Sequence, residues 1–194
     1  MPLIVGCALA VSAAIVGELY PRLAAYGQSR ATDDSSRLVL LVALALAGAA
    51  NASRPTLCLL LTLLSVAAWL DLKYHRIGLL VQAMLLSVSL AVAWGDGERV
   101  GMGLLLCGVS YLGGFLLLRA RKGNAPGLGD ACILTCIGFT AGLASGLALL
   151  IAVALIILGQ TLRGVKAEAR IPLALPLSLG LMATLVVMSL APVV

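Results

Sequence analysis

The chain has 194 residues, 62% of them hydrophobic, with a mean hydropathy of +1.13. A soluble domain is about half apolar, so this composition excludes an ordinary water-soluble globule and points to a polytopic membrane protein. The runs do not alternate polar and apolar residues, which excludes a transmembrane barrel, and the net charge of +5 reads as basic loops on one membrane face rather than a nucleic-acid surface.

In chain order, apolar runs predict spans at about 2–19, 37–50, 56–72, 77–94, 100–118, 131–142, 144–160 and 174–191. Most approach the length needed to cross a bilayer. The expected fold class is all-α: an integral membrane helical bundle of about eight transmembrane helices (six to eight), forming one domain over 1–194. The first run lacks a basic n-region and reads as a span rather than a cleaved signal peptide. The stretch 131–159 carries no charge and reads as one long helix or as two, because its centre, GFTAGLASG (138–146), is rich in glycine. Charge arbitrates between them. With a turn there, Arg22, Arg30, Arg37, Lys73, Arg76, Arg119, Arg121, Lys122, Arg163, Lys166 and Arg170 face one side, and only Arg54 and Arg99 face the other. The positive-inside rule makes the first side cytoplasmic and leaves both termini outside.

Five cysteines, Cys7, Cys58, Cys107, Cys132 and Cys136, lie inside apolar runs. An odd number so placed argues against a disulfide framework. Cys132 and Cys136 are one helical turn apart, close enough to touch. With no paired CxxC set and one histidine, no metal site and no cofactor are expected.

Two aspartates stand out. Asp71 closes the run TLCLLLTLLSVAAWLD (56–71), and Asp130 follows the loop PGLGD (126–130). Ionisable groups at membrane depth are costly and mark functional sites by default. Two carboxyls on one membrane side suggest an aspartic protease dyad, in which mutual repulsion leaves one acid protonated and the other ionised. The pair titrates as a unit, so neither is assigned as acid or base. Gly127 and Gly129 allow unusual backbone angles and close approach by a substrate backbone. The plainer reading makes Asp130 a helix cap and Asp71 a marker of the water boundary beside Lys73 and Arg76.

At these residues the chain resembles the type IV prepilin peptidases, GxGD-type intramembrane aspartic proteases. That family carries its first aspartate in a pattern like D-x-x-x-x-x-I-P-N; here Asp71 is followed, in register, by a basic stretch and Ile77. Gly127-Leu128-Gly129-Asp130 matches the second motif in full, and Ile171-Pro172 before the last span is similar to the family's I-P-F-G-P segment. The chain departs from the family at Gly78-Leu79 in place of Pro-Asn, at Cys132 in place of a frequent lysine, and in the spacing of Pro172 and Pro176. The resemblance implies Asp71 and Asp130 as catalytic residues, with Ile77 and Pro172 supporting. It implies cleavage of the basic leader from type IV prepilin or pilin-like precursors, usually after a glycine. The expected partners are that precursor and membrane lipid, with no nucleic acid, and the expected place is a bacterial or archaeal cell membrane with the site facing the cytoplasm. Larger members carry a cysteine-rich zinc domain and N-methylate the product. The 20–36 loop has no cysteine, so the expectation is a short form without that domain or methyltransferase activity.

Two alternatives stay open. GLGD also resembles the presenilin and signal-peptide-peptidase group, which implies another membrane substrate. A small non-enzymatic transporter or scaffold would use the aspartates for cation binding. Among other residues, His75 lies one turn after Asp71, although a headgroup boundary explains it. Glu18 reads as interfacial or paired with Arg22. Asp96 and Glu98 read as solvated, Gly101, Gly103, Gly113 and Gly114 as helix-packing positions, and Trp69 and Trp94 as interfacial anchors.

Overall fold

The computed structural model describes residues 2–23, 34–120, 128–163 and 173–190. Among them are eight α-helices and no strand: α1 (Pro2–Leu23), α2 (Asp34–Ala50), α3 (Pro55–Tyr74), α4 (Leu79–Ala93), α5 (Gly97–Ala120), α6 (Leu128–Ala141), α7 (Ser145–Arg163) and α8 (Ala174–Leu190). The expected all-helical bundle is therefore the fold. Pro2–Leu19 and Pro55–Tyr74 are long and apolar enough to cross a bilayer, and Leu128–Thr161 is as apolar over a longer run. Shorter apolar helices cover Ser35–Ala50, Leu79–Ala93 and Ala174–Leu190.

Local chemistry sets the helix ends. Pro55 stands in the first turn of α3, where its missing N–H costs nothing. His75 ends that helix in the left-handed conformation at φ 51°, with its N–H donated to the Asp71 carbonyl at 2.9 Å. Pro176, in the first turn of α8, is tolerated for the same reason as Pro55. Asp96 caps α5 by accepting the Glu98 and Arg99 N–H groups at 3.1 and 3.2 Å.

The long run 128–161 is continuous in composition and broken in geometry. A single 3-10 turn, Gly142–Ala144, separates α6 from α7, and Gly142 takes φ +55°. An L side chain there would be strained, and its Cβ would also press on Glu98 Oε1. That oxygen accepts the Leu143 N–H at 2.9 Å, so α5 holds the turn. Asp96 and Glu98, read as solvated from the sequence, do keep contact with solvent and in addition organise this end.

Contacts fix how the helices run. Gly6 lies on Ala45 and Ala49, while farther along α1 Gly17 meets Trp69, the ring that Arg37 near the start of α2 also covers, so α1 and α2 are antiparallel. Cys132 meets the Gln82 carbonyl and Cys136 meets Ser89, so α4 and α6 are parallel. Gly103 of α5 and Gly138 of α6 touch through their backbones, with Phe139 laid over Gly103. Gly101 and Gly113 face open space, so of the described glycines expected to pack on α5 only Gly103 does.

Three helices form the interior. The described side chains of α3, α6 and α8 are mostly buried, from Leu57 to Asp71 on α3 and from Ala131 to Ala141 on α6. The outer helices expose large aliphatic residues, including Leu3, Ile4, Leu38, Leu79, Leu104, Leu112, Leu150 and Ile157. So broad an apolar surface suits lipid rather than water. Several buried hydroxyls are satisfied within their own helices: Ser65 donates to the Leu61 carbonyl at 2.9 Å and Thr140 to that of Cys136 at 2.7 Å. Helices α3 and α6 pack little on each other, while each packs on both α4 and α8. The four make a diamond with α3 and α6 at opposite corners.

Candidate active site

Asp71 lies in the last turn of α3 and is buried. A buried carboxyl needs hydrogen-bond partners, and Asp71 Oδ2 accepts the backbone N–H of Ala174 at 3.1 Å. Ala174 is the first residue of α8, so this N–H is one of the donors that a helix start leaves unpaired. The positive end of the α8 dipole therefore points at Asp71. Asp130 stands in the first turn of α6, at another helix start. Its charge and that of Asp71 act on each other repulsively.

The two sequence motifs meet in one contact. A Cβ built on Gly129 would lie 3.0 Å from Ile77 Cδ1 and 3.3 Å from Ile77 Cβ and Cγ1. Ile77 stands in the link between α3 and α4, six residues after Asp71, and Gly129 directly precedes Asp130. Gly129 itself takes no positive φ. The absent side chain there makes room for Ile77, which lets the start of α6 approach the link after Asp71.

Of the six residues singled out from the sequence, Asp71, Asp130, Gly129 and Ile77 thus gather at one end of the bundle. Gly127 and Pro172 lie outside the described residues. His75 ends α3 instead of continuing it, so it does not sit one helical turn along the Asp71 face. The Ala174 N–H carried no sequence signal, because any residue at a helix start offers that donor.

A second polar group near the site was also hidden. Glu18, near the end of α1, accepts the Trp69 indole N–H at 3.2 Å and pairs with the Lys73 ammonium at 2.8 Å. The Arg37 guanidinium lies 5.3 Å from the Trp69 ring centre. Trp69 is buried over Gly17 and is not an interfacial anchor; Trp94, 81% exposed, suits that role. All five cysteines are free thiols, and Cys132 and Cys136 interact with each other. Among the described residues no three histidine, cysteine, aspartate or glutamate side chains gather as metal ligands.

No family model, curated protein or solved structure matches this chain.

Proposed function

We propose that the chain is a membrane aspartic endopeptidase that removes the basic leader from type IV prepilins or pilin-like precursors. The observation that carries this reading is the contact of Ile77 with Gly129, which draws Asp71 and Asp130 to one end of the bundle, where their charges interact.

Two carboxyls that repel one another hold one proton between them. The ionised member takes a proton from water, and the oxygen of that water attacks the scissile carbonyl carbon. The protonated member hydrogen-bonds the carbonyl oxygen as negative charge grows there. Collapse of the tetrahedral intermediate passes a proton to the leaving nitrogen, giving a leader carboxylate and a new amino terminus. The Ala174 N–H holds Asp71 in place throughout. Gly129 offers backbone approach at the start of α6. The reaction calls for no metal or cofactor.

In this reading the eight helices are eight spans. Both termini lie outside and the dyad lies at the cytoplasmic face of a bacterial or archaeal cell membrane. That side also carries eleven of the thirteen lysines and arginines. The test is purified protein in liposomes with candidate prepilins, with mass spectrometry reading the new amino terminus. Cleavage after a leader glycine is expected. Folded protein that cuts no pilin-like precursor contradicts the proposal.

A further inference from the structure

Lys73 is two residues from Asp71, and its ammonium is held away from it. Residues two apart on a helix point about 200° apart, so Trp69 and Lys73 share the α3 face opposite Asp71. Both end on Glu18 of α1. Lys73 is largely enclosed, with a side chain 15% exposed. An enclosed ammonium without a counter-ion is strongly disfavoured and moves toward another carboxylate.

We propose that Glu18 is a positioning residue for the dyad, which keeps the Lys73 ammonium on the α1 side of α3 and so preserves the single negative charge that Asp71 and Asp130 share. This rests on the peptidase reading above.

The charged and titratable groups around the pair are few among the described side chains. Helix α1 contributes Glu18, and α2 contributes Arg37, whose charge also acts favourably on Glu18. On α3, Tyr74 has its ring 5.8 Å from the Lys73 nitrogen, and His75 and Arg76 follow. Helix α6 contributes Asp130 and, two residues on, the thiol of Cys132. Helices α4 and α8 contain no ionisable side chain. When Glu18 loses its charge, Asp71 and Asp130 are the described carboxylates at this end of the bundle. A cation drawn to them favours the doubly ionised pair, which has no proton left to polarise the substrate carbonyl.

Glu18→Gln is the test variant, because the amide oxygen still accepts the Trp69 N–H while the charge is gone. Carbodiimide coupling, which joins an amine to a carboxylate in contact with it, reads the partner of Lys73 without any substrate. Mass spectrometry should find Lys73 joined to Glu18 in the wild type, and to Asp71 or Asp130 in Glu18→Gln. Lys73 uncoupled or joined elsewhere in the folded variant overturns the proposal.

With a cleaved substrate, Glu18→Gln should lose about tenfold in kcat at neutral pH, the order expected for one charge brought close in a medium of intermediate dielectric. KM should stay within about twofold, because the perturbed step follows binding. The pH optimum should move to lower pH, since a cation favours the ionised carboxyls. Lys73→Met in the Glu18→Gln background should restore both rate and optimum. A double variant no faster than Glu18→Gln overturns the proposal, because a purely structural tie is not repaired by deleting its second partner. If Glu18→Gln fails to fold and the double variant folds, the unpaired ammonium is the cause, as proposed; if neither folds, Glu18 is structural and the proposal falls. If wild-type protein cleaves nothing, the peptidase reading fails, and the coupling result still decides where Lys73 goes.

Discussion

Gly129→Ala isolates the contact that joins the two motifs. Apolar carbons rest about 3.5–4.0 Å apart. The new Cβ would lie 3.0 Å from Ile77 Cδ1 and 3.3 Å from Ile77 Cβ and Cγ1. The Cδ1 methyl can swing aside about χ2. Ile77 Cβ moves only if the link after α3 moves, by a few tenths of an ångström, and Cγ1 otherwise needs a χ1 change that β-branching disfavours. Overpacking of this kind costs about 1 kcal/mol at the mild end, and replacing a helical glycine by alanine returns up to about 1 kcal/mol. Stability should therefore change by about 1 kcal/mol or less. Activity should change more, because the displacement falls beside Asp130. A misplacement of about 1 Å costs roughly a hundredfold in rate, so a few tenths should cost severalfold. The assay is kcat for leader cleavage beside thermal unfolding in detergent. Ile77→Val, which deletes Cδ1, should recover part of the loss in the double variant. A Gly129→Ala protein with wild-type kcat, or a double variant no faster than Gly129→Ala, refutes the reasoning.

Three further outcomes follow from the packing. Gly142→Ala forces an L residue to φ +55° and presses on Glu98 Oε1, so it should destabilise by about 1–2 kcal/mol, read as an earlier unfolding midpoint in mixed micelles. Gly103→Leu should unfold the α5–α6 pair, because Phe139 and Gly138 occupy that space, whereas Gly101→Leu, facing open space, should insert and melt like wild type; equal melting of the two would contradict the packing. Trp69→Phe removes the indole N–H donated to Glu18 and keeps most of the ring. It should cost about 1.5–3 kcal/mol of stability, the range for a hydrogen bond to a charged group, as a fall in unfolding midpoint that Glu18→Ala does not deepen additively.

Much of this architecture was legible because lipid-compatible runs announce helices, and because the charge-free stretch 131–159 carried a glycine-rich centre. The turn fell at Gly142, where positive φ demands glycine. What holds it, the Glu98 carboxylate on the Leu143 N–H, pairs residues 45 apart and left no local pattern. The same distance hid Trp69: its position near a span end suggested a membrane interface, while Gly17 and Glu18, about fifty residues earlier, enclose it. Glycine spacing on α5 could not distinguish Gly103, which faces α6, from Gly101 and Gly113, because helix phase against a neighbour is a tertiary property. At the site, Asp71, Ile77, Gly129 and Asp130 were readable as residue types. The Ala174 N–H was not, since a backbone donor has no letter in the sequence.

The central claim is that Asp71 and Asp130 work as one catalytic pair. Its most direct test is single-turnover cleavage of a prepilin by Asp71→Asn and Asp130→Asn beside wild-type protein, with insertion and helicity checked for each. Each substitution keeps the side chain's size and removes its ability to ionise. The account predicts that both variants insert and fold, and that neither cleaves. Wild-type turnover by either variant would contradict it.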